Sequence, residues 1–177
     1  MFAFPLALSA GFGRFRTVFA FWAGGCALAP SLPGDYLRTA YYRLTLESCS
    51  LNSRIQFGSF FAHPEASIAP GVYIGAYCVL GKTIIGQRTQ IGSGVHIASG
   101  KEQHPRDAEG RIMGSEHGKF ETVRIGADCW IGSGSMILAE VGGRSTIGAG
   151  SVVVHPVPAG SIAVGNPARV IGTTSAP

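Results

Sequence analysis

The stretch from Ile68 to Ile97, IAPGVYIGAYCVLGKTIIGQRTQIGSGVHI, carries an aliphatic residue at Ile68, Ile74 and Leu80, then again at Ile85, Ile91 and Ile97. A spacing of six fits neither the 3.6-residue period of a helix nor the two-residue alternation of a strand. It belongs to a chain that turns a corner after every short extended segment. The beat returns at Ile125, Ile131 and Ile137, and at Ile147 and Val153. A glycine follows most of these residues, among them Gly75, Gly86, Gly92, Gly126 and Gly132. The residue two before is small or β-branched, as at Val72, Cys78, Thr89 and Cys129. Residues two apart in extended backbone share a face, so each aliphatic and its small partner point to one interior. The glycine after the aliphatic is expected to supply the positive φ of a sharp corner. No hexad buries its apolar side alone, so successive turns must stack. The hairpins of a β-sandwich would not keep this register over so many beats.

At 177 residues the chain fits one domain with an appendage. Charged residues make up 14 %, glycine counts 26, and mean hydropathy is +0.26, an apolar balance that suits a solenoid hiding surface in an oligomer. The net charge of +4 comes from scattered arginines without a basic run, which argues against nucleic acid and for a phosphate-bearing cofactor or an anionic membrane surface. Cys26, Cys49, Cys78 and Cys129 form no CxxC pair and no metal-ligand spacing, so reduced thiols are expected.

Residues 1–54 read as an apolar, partly helical N-terminal segment and residues 55–172 as the solenoid, with residues 173–177 as a tail. Three readings of the first 30 residues stay open. One is a signal peptide ending near Ala27-Leu28-Ala29. A second is an interfacial helix with Arg14 and Arg16 at lipid headgroups. The third is a helical segment packed on the solenoid or on another copy. Tyr36–Leu46 has helical spacing of Leu37, Tyr41 and Leu44. The beat breaks between Ile97 and Ile125, where residues 99–121 are polar and charged; a long loop inside a compact fold is usually functional. It also skips between Leu80 and Ile85 and between Ile137 and Ile147.

These repeats resemble the hexapeptide-repeat acyltransferases. The likeness rests also on the His104-Pro105 pair in the inserted loop, on Ile125-Gly126-Ala127-Asp128-Cys129-Trp130-Ile131-Gly132, and on Gly165-Asn166-Pro167-Ala168-Arg169-Val170. It is nearest to the galactoside and maltose O-acetyltransferases and the acetyltransferases of exopolysaccharide biosynthesis. It implies an all-β fold, a left-handed parallel β-helix with three hexads per coil, and a homotrimer that binds acetyl-CoA between adjacent prisms. It further implies a hydroxyl of a sugar or glycan precursor as acceptor and a cytoplasmic protein; the interfacial-helix reading of residues 1–30 would add peripheral contact with the membrane.

Acyl transfer to a hydroxyl needs a base, and imidazole titrates near neutrality; the family's catalytic His-Pro falls on His104. The same likeness places Trp130 along the pantetheine arm. It sets Ser133 at the developing oxyanion, Ala149 at the pantetheine amide and Arg169 near the adenosine phosphates. His117, Glu116 and Asp107 are candidate partners of His104, His96 is an outward residue, and His63 reads as structural. The acceptor pocket departs from the pattern, with Gly75 where the sugar acetyltransferases carry Asn, and His155 replaces a phosphate-binding lysine. The alternative on the same solenoid is a zinc hydratase of the γ-carbonic anhydrase type, which needs three converging histidines; no suitably spaced third one follows His96 and His104, and no metal is expected. A non-catalytic assembly solenoid is the remaining reading.

Overall fold

The structure, a computed structural model, describes residues 2–100 and 103–174; Lys101 and Glu102 of the loop and residues 175–177 of the tail lie outside it. Short strands at each beat wind into a left-handed β-helix with three faces. The first face holds β1 (Ser48–Cys49), β4 (Ser67–Ile68), β7 (Thr83–Ile85) and β10 (Val123–Ile125), and isolated bridges carry it on through Val141 and Val157. The second stacks β2 (Arg54–Ile55), β5 (Tyr73–Ile74), β8 (Gln90–Ile91), β11 (Trp130–Ile131), β13 (Thr146–Ile147) and β15 (Ser161–Val164). The third stacks β3 (Phe60–Phe61), β6 (Val79–Leu80), β9 (His96–Ile97), β12 (Met136–Ile137) and β14 (Val152–Val153).

All of these neighbours pair parallel and in register, so the inward residues line up as ladders. Ile55, Ile74, Ile91, Ile131 and Ile147 form one; Phe61, Leu80, Ile97, Ile137 and Val153 form another, and all ten are buried. Each contributes roughly 1.5–3 kcal/mol by leaving water. The skip between Ile137 and Ile147 has a simple cause: Val141 takes the beat after only four residues and sits buried on the first face.

One expectation is corrected. The glycines after the aliphatics are not in the left-handed region. Positive φ falls two residues later, at Gly94 (69°), Gly134 (70°), Tyr77 (59°), Arg88 (58°), Asp128 (58°) and Arg144 (59°). Glycine is needed after the aliphatic because the coils touch there. A Cβ on Gly86 would lie 2.4 Å from the Ala127 nitrogen, and one on Gly132 2.4 Å from the Ala149 nitrogen.

The N-terminal segment caps the first coil. Helices α1 (Ala3–Ser9), α2 (Arg16–Ala27) and α3 (Ser31–Thr45) pack on one another, α2 against β3 and α3 against β1 and β2. Helix α3 begins five residues before the predicted Tyr36, because Pro33 in the first turn has no amide to leave unpaired. Its buried face is Gly34, Arg38, Tyr41, Tyr42 and Thr45. Arg38 is wholly enclosed. It donates to the carbonyls of Cys26 (3.0 Å) and Ala29 (2.7 Å) at the end of α2, to that of Ile55 (2.9 Å) and to Asp35 Oδ1 (2.6 Å). Tyr41 donates its hydroxyl to the Phe19 carbonyl, and the Tyr42 hydroxyl accepts from the Phe61 amide. Packing on the solenoid therefore accounts for the buried half of the segment, while Phe2, Phe4, Leu8, Phe12 and Phe15 stay exposed. Among the described residues no helix is long and apolar enough to cross a membrane.

Candidate functional site

The inserted loop leaves the third face at Ile97 and rejoins the first at Val123. Ser99 holds both ends. Its carbonyl accepts from the Glu121 amide (2.9 Å) and its hydroxyl from the Lys82 amide (2.8 Å). Inside the loop a small hairpin forms: Arg106 bridges Ile112, the Met113 amide donates to Pro105 (2.8 Å) and the Asp107 amide to Arg111 (3.0 Å). The Asp107 carboxylate fastens its tip, accepting from the Arg111 guanidinium (2.7 Å) and from the amides of Arg111 and Glu109. The Arg111 guanidinium, aided by those amides, holds its carboxyl below the usual carboxylate range.

His104 sits at the base of this hairpin, with Nδ1 3.3 Å from the Met113 carbonyl. With Nδ1–H donating to that carbonyl, Nε2 makes no hydrogen bond among the described residues. Sequence reasoning pointed to Asp107, Glu116 or His117 as the partner. Asp107 is engaged with Arg111, and His117 lies 3.8 Å from Glu116. The orienting group is a backbone oxygen, which has no signature in a list of side chains. Next to the loop base a cavity of about 200 Å³ gathers His63, His96, Ser99 and Gln103. His96 is exposed there, whereas His63 packs edge-on against Phe120 (5.1 Å) and burial pulls its pKa down.

The four other predicted residues share one side of the prism. Trp130 stands outward on the second face, 61 % exposed, between Gln90 and Thr146. Ser133 and Ala149 stack at the corner between the second and third faces, where the Gly150 amide donates to the Ser133 carbonyl (2.9 Å); both are exposed. Arg169 opens β16 (Arg169–Thr173), which closes the second face by pairing antiparallel to β15. It is exposed, and its guanidinium meets the Ala168 carbonyl (3.0 Å). Among the described residues no hydrogen bond, ion pair or ring contact joins His104 to any of these four.

The four cysteines are free and buried. Burial pushes the Cys26 and Cys49 thiols up to about 11, so neither is a nucleophile near neutrality. No group of three His, Cys, Asp or Glu side chains is placed to hold a metal ion among the described residues.

No family model matches the chain. Serine acetyltransferase 4 of Arabidopsis thaliana is 35 % identical to it over 136 residues, 72 % of this chain and 34 % of that protein. The chain spans 58 %, 22 % and 34 % of the length of three of the curated relatives it matches. In fold it is like a maltose O-acetyltransferase from Clostridium difficile 630, with a TM-score of 0.65 at 23 % identity over 96 % of this chain and 89 % of that one. It is also like a galactoside acetyltransferase in complex with coenzyme A, with a TM-score of 0.67 at 21 % identity over 93 % and 82 %. Repeat, coil and likeness together relate this chain to the hexapeptide-repeat acyltransferases.

Proposed function

We propose that the chain is an O-acyltransferase that moves an acetyl group from acetyl-CoA to a hydroxyl of a sugar or glycan precursor, with His104 as general base. One observation carries the reading. Trp130, Ser133, Ala149 and Arg169, named from separate motifs, fall on a single exposed side of the prism, running from β11 to β16. Such a strip suits a long thin donor, with Arg169 at its phosphate end, Ala149 and Trp130 along its arm and Ser133 beside the thioester.

In the reaction, Nε2 of His104 takes the proton of the acceptor hydroxyl as its oxygen attacks the thioester carbonyl. The carbon–sulfur bond then breaks, and the proton passes from His104 to the departing sulfur. A donor at Ser133 offsets the charge on the carbonyl oxygen. His104 comes from the loop between the third and first faces and Trp130 stands on the second, so we infer that one copy supplies the base and its neighbour the donor strip, in a homotrimer. A pool of acyl-CoA makes the cytoplasm the fitting compartment. The exposed phenylalanines of residues 2–15, in a segment without Asp or Glu before Asp35, support peripheral contact with an anionic membrane.

The test is release of free thiol from acetyl-CoA in the presence of sugar acceptors. Turnover is expected, with a loss of roughly 10²–10⁴-fold in His104→Ala. Absence of thiol release across the acceptors, or full turnover in that variant, would falsify the reading.

A further inference from the structure

The outward row of the second face continues past Trp130. Parallel register sets Trp130, Gln90, Tyr73 and Arg54 one above another across β11, β8, β5 and β2. Arg54 thus stands three strands from Trp130, roughly 14 Å at ordinary strand spacing. There α3 flanks the face and borders an open cavity of about 390 Å³, lined by Asp35, Tyr36, Asn52, Arg54, Tyr73 and Gln90 among others.

The charges in this cavity do not balance. Asp35 is buried and gripped from two sides, Oδ1 by Arg38 (2.6 Å) and Oδ2 by Arg54 Nε (2.8 Å). Arg38 is fully enclosed and spends its remaining donors on backbone carbonyls. Arg54 is different: its side chain is 49 % exposed, and neither terminal nitrogen makes a hydrogen bond among the described residues. Two guanidinium groups to one carboxylate leave one positive charge over, and it faces the cavity. The Asp35 contact fixes the plane of the Arg54 fork, so its two terminal nitrogens are presented together. A rigid fork of this kind matches the paired oxygens of a phosphate or a carboxylate. Tyr36, 75 % exposed, and Tyr73 offer flat faces to a sugar ring, and the amides of Asn52 and Gln90 can bond its hydroxyls.

We propose that this cavity is the acceptor subsite and that Arg54, held by Asp35, makes it specific for a sugar bearing a phosphate or a carboxylate. The assignment as acceptor subsite rests on the acyltransferase reading: a donor laid from Arg169 toward Trp130 points its acyl end at the coils nearer β2. The anion specificity rests on the cavity alone.

The experiment is calorimetric titration of the full chain, without acyl donor, with glucose 1-phosphate, glucuronate and methyl glucoside. At least one of the two anionic sugars is expected to bind about tenfold or more tightly than the glucoside; which of them binds tells phosphate from carboxylate. Arg54→Gln should remove that preference and Arg54→Lys should keep part of it, while Tyr36→Ala, at an exposed ring, should weaken all three. Thermal melting of each variant shows whether it is folded. Equal affinity for charged and neutral sugars, or an Arg54→Gln protein that keeps its preference, overturns the proposal. So does failure of all three to bind while thiol release proceeds on other acceptors, and that result leaves the acyltransferase reading intact. Anionic sugar binding without any acyl transfer would sink that reading instead and leave the anion site standing.

Discussion

Arg38 shows what a single residue does in this molecule. It joins the end of α2, the start of α3 and the first strand of the second face through five acceptors. Arg38→Met keeps the bulk but leaves Asp35 Oδ1 and the carbonyls of Cys26, Ala27, Ala29 and Ile55 without this donor, so a loss of about 3–5 kcal/mol is expected, seen as a lower denaturant midpoint. Nothing in the sequence marked it: in a helix read by apolar spacing, an arginine is assigned to solvent, and only the meeting of three distant segments gives it partners. Trp130 was legible by contrast, since its outward direction follows from the residue after it. At the hairpin, Asp107 has its pKa held down by Arg111. Its support is therefore present above the ordinary carboxylate value and lost as pH falls through the lower folded one. Asp107→Ala should loosen the Met113 carbonyl from His104 and lower kcat about tenfold, leaving the KM for acyl donor near wild type; steady-state kinetics check this.

Among elements, the corners carry the most information. The six-residue beat revealed the coil because its signal is local: Ile74 and Ile91 need only their own neighbours to be read. The reason for the glycines was not local, since it lies in the coil above. Gly132 and Gly134 separate the two causes. A Cβ on Gly132 meets the Ala149 backbone at 2.4 Å, whereas Gly134 has φ +70° and nothing within 4 Å. Gly132→Ala should cost about 1–3 kcal/mol as the corner shifts and should raise donor KM by displacing Ser133. Gly134→Asn should cost under about 1 kcal/mol, because Asn tolerates that backbone. Chemical denaturation of both variants decides it. Val141 escaped the reading for a related reason: its beat comes after four residues, a spacing that only the bridges to Ile125 and Val157 explain.

For the whole molecule, the placement of His104 in the loop after the third face and of Trp130 on the second ties the proposed chemistry to assembly. If base and donor strip come from neighbouring copies, His104→Ala and Trp130→Ala subunits refolded together should recover about a quarter of wild-type turnover, the share of seams that receive an intact half from each. A mixture no more active than its parts would place both residues' work within one copy. The cavity proposed for the acceptor was the least legible region, since Asp35, Arg54 and Tyr73 lie in separate segments and come together only when α3 folds over β2 and β5. The reversed strand β16 has a consequence at this scale too. A parallel coil ends in bare amides and carbonyls that any like coil could extend, and the backward turn from β15 to β16 blocks that extension on the second face. At the opposite end helices pack over β1, β2 and β3, so there too the first coil meets protein instead of a like coil.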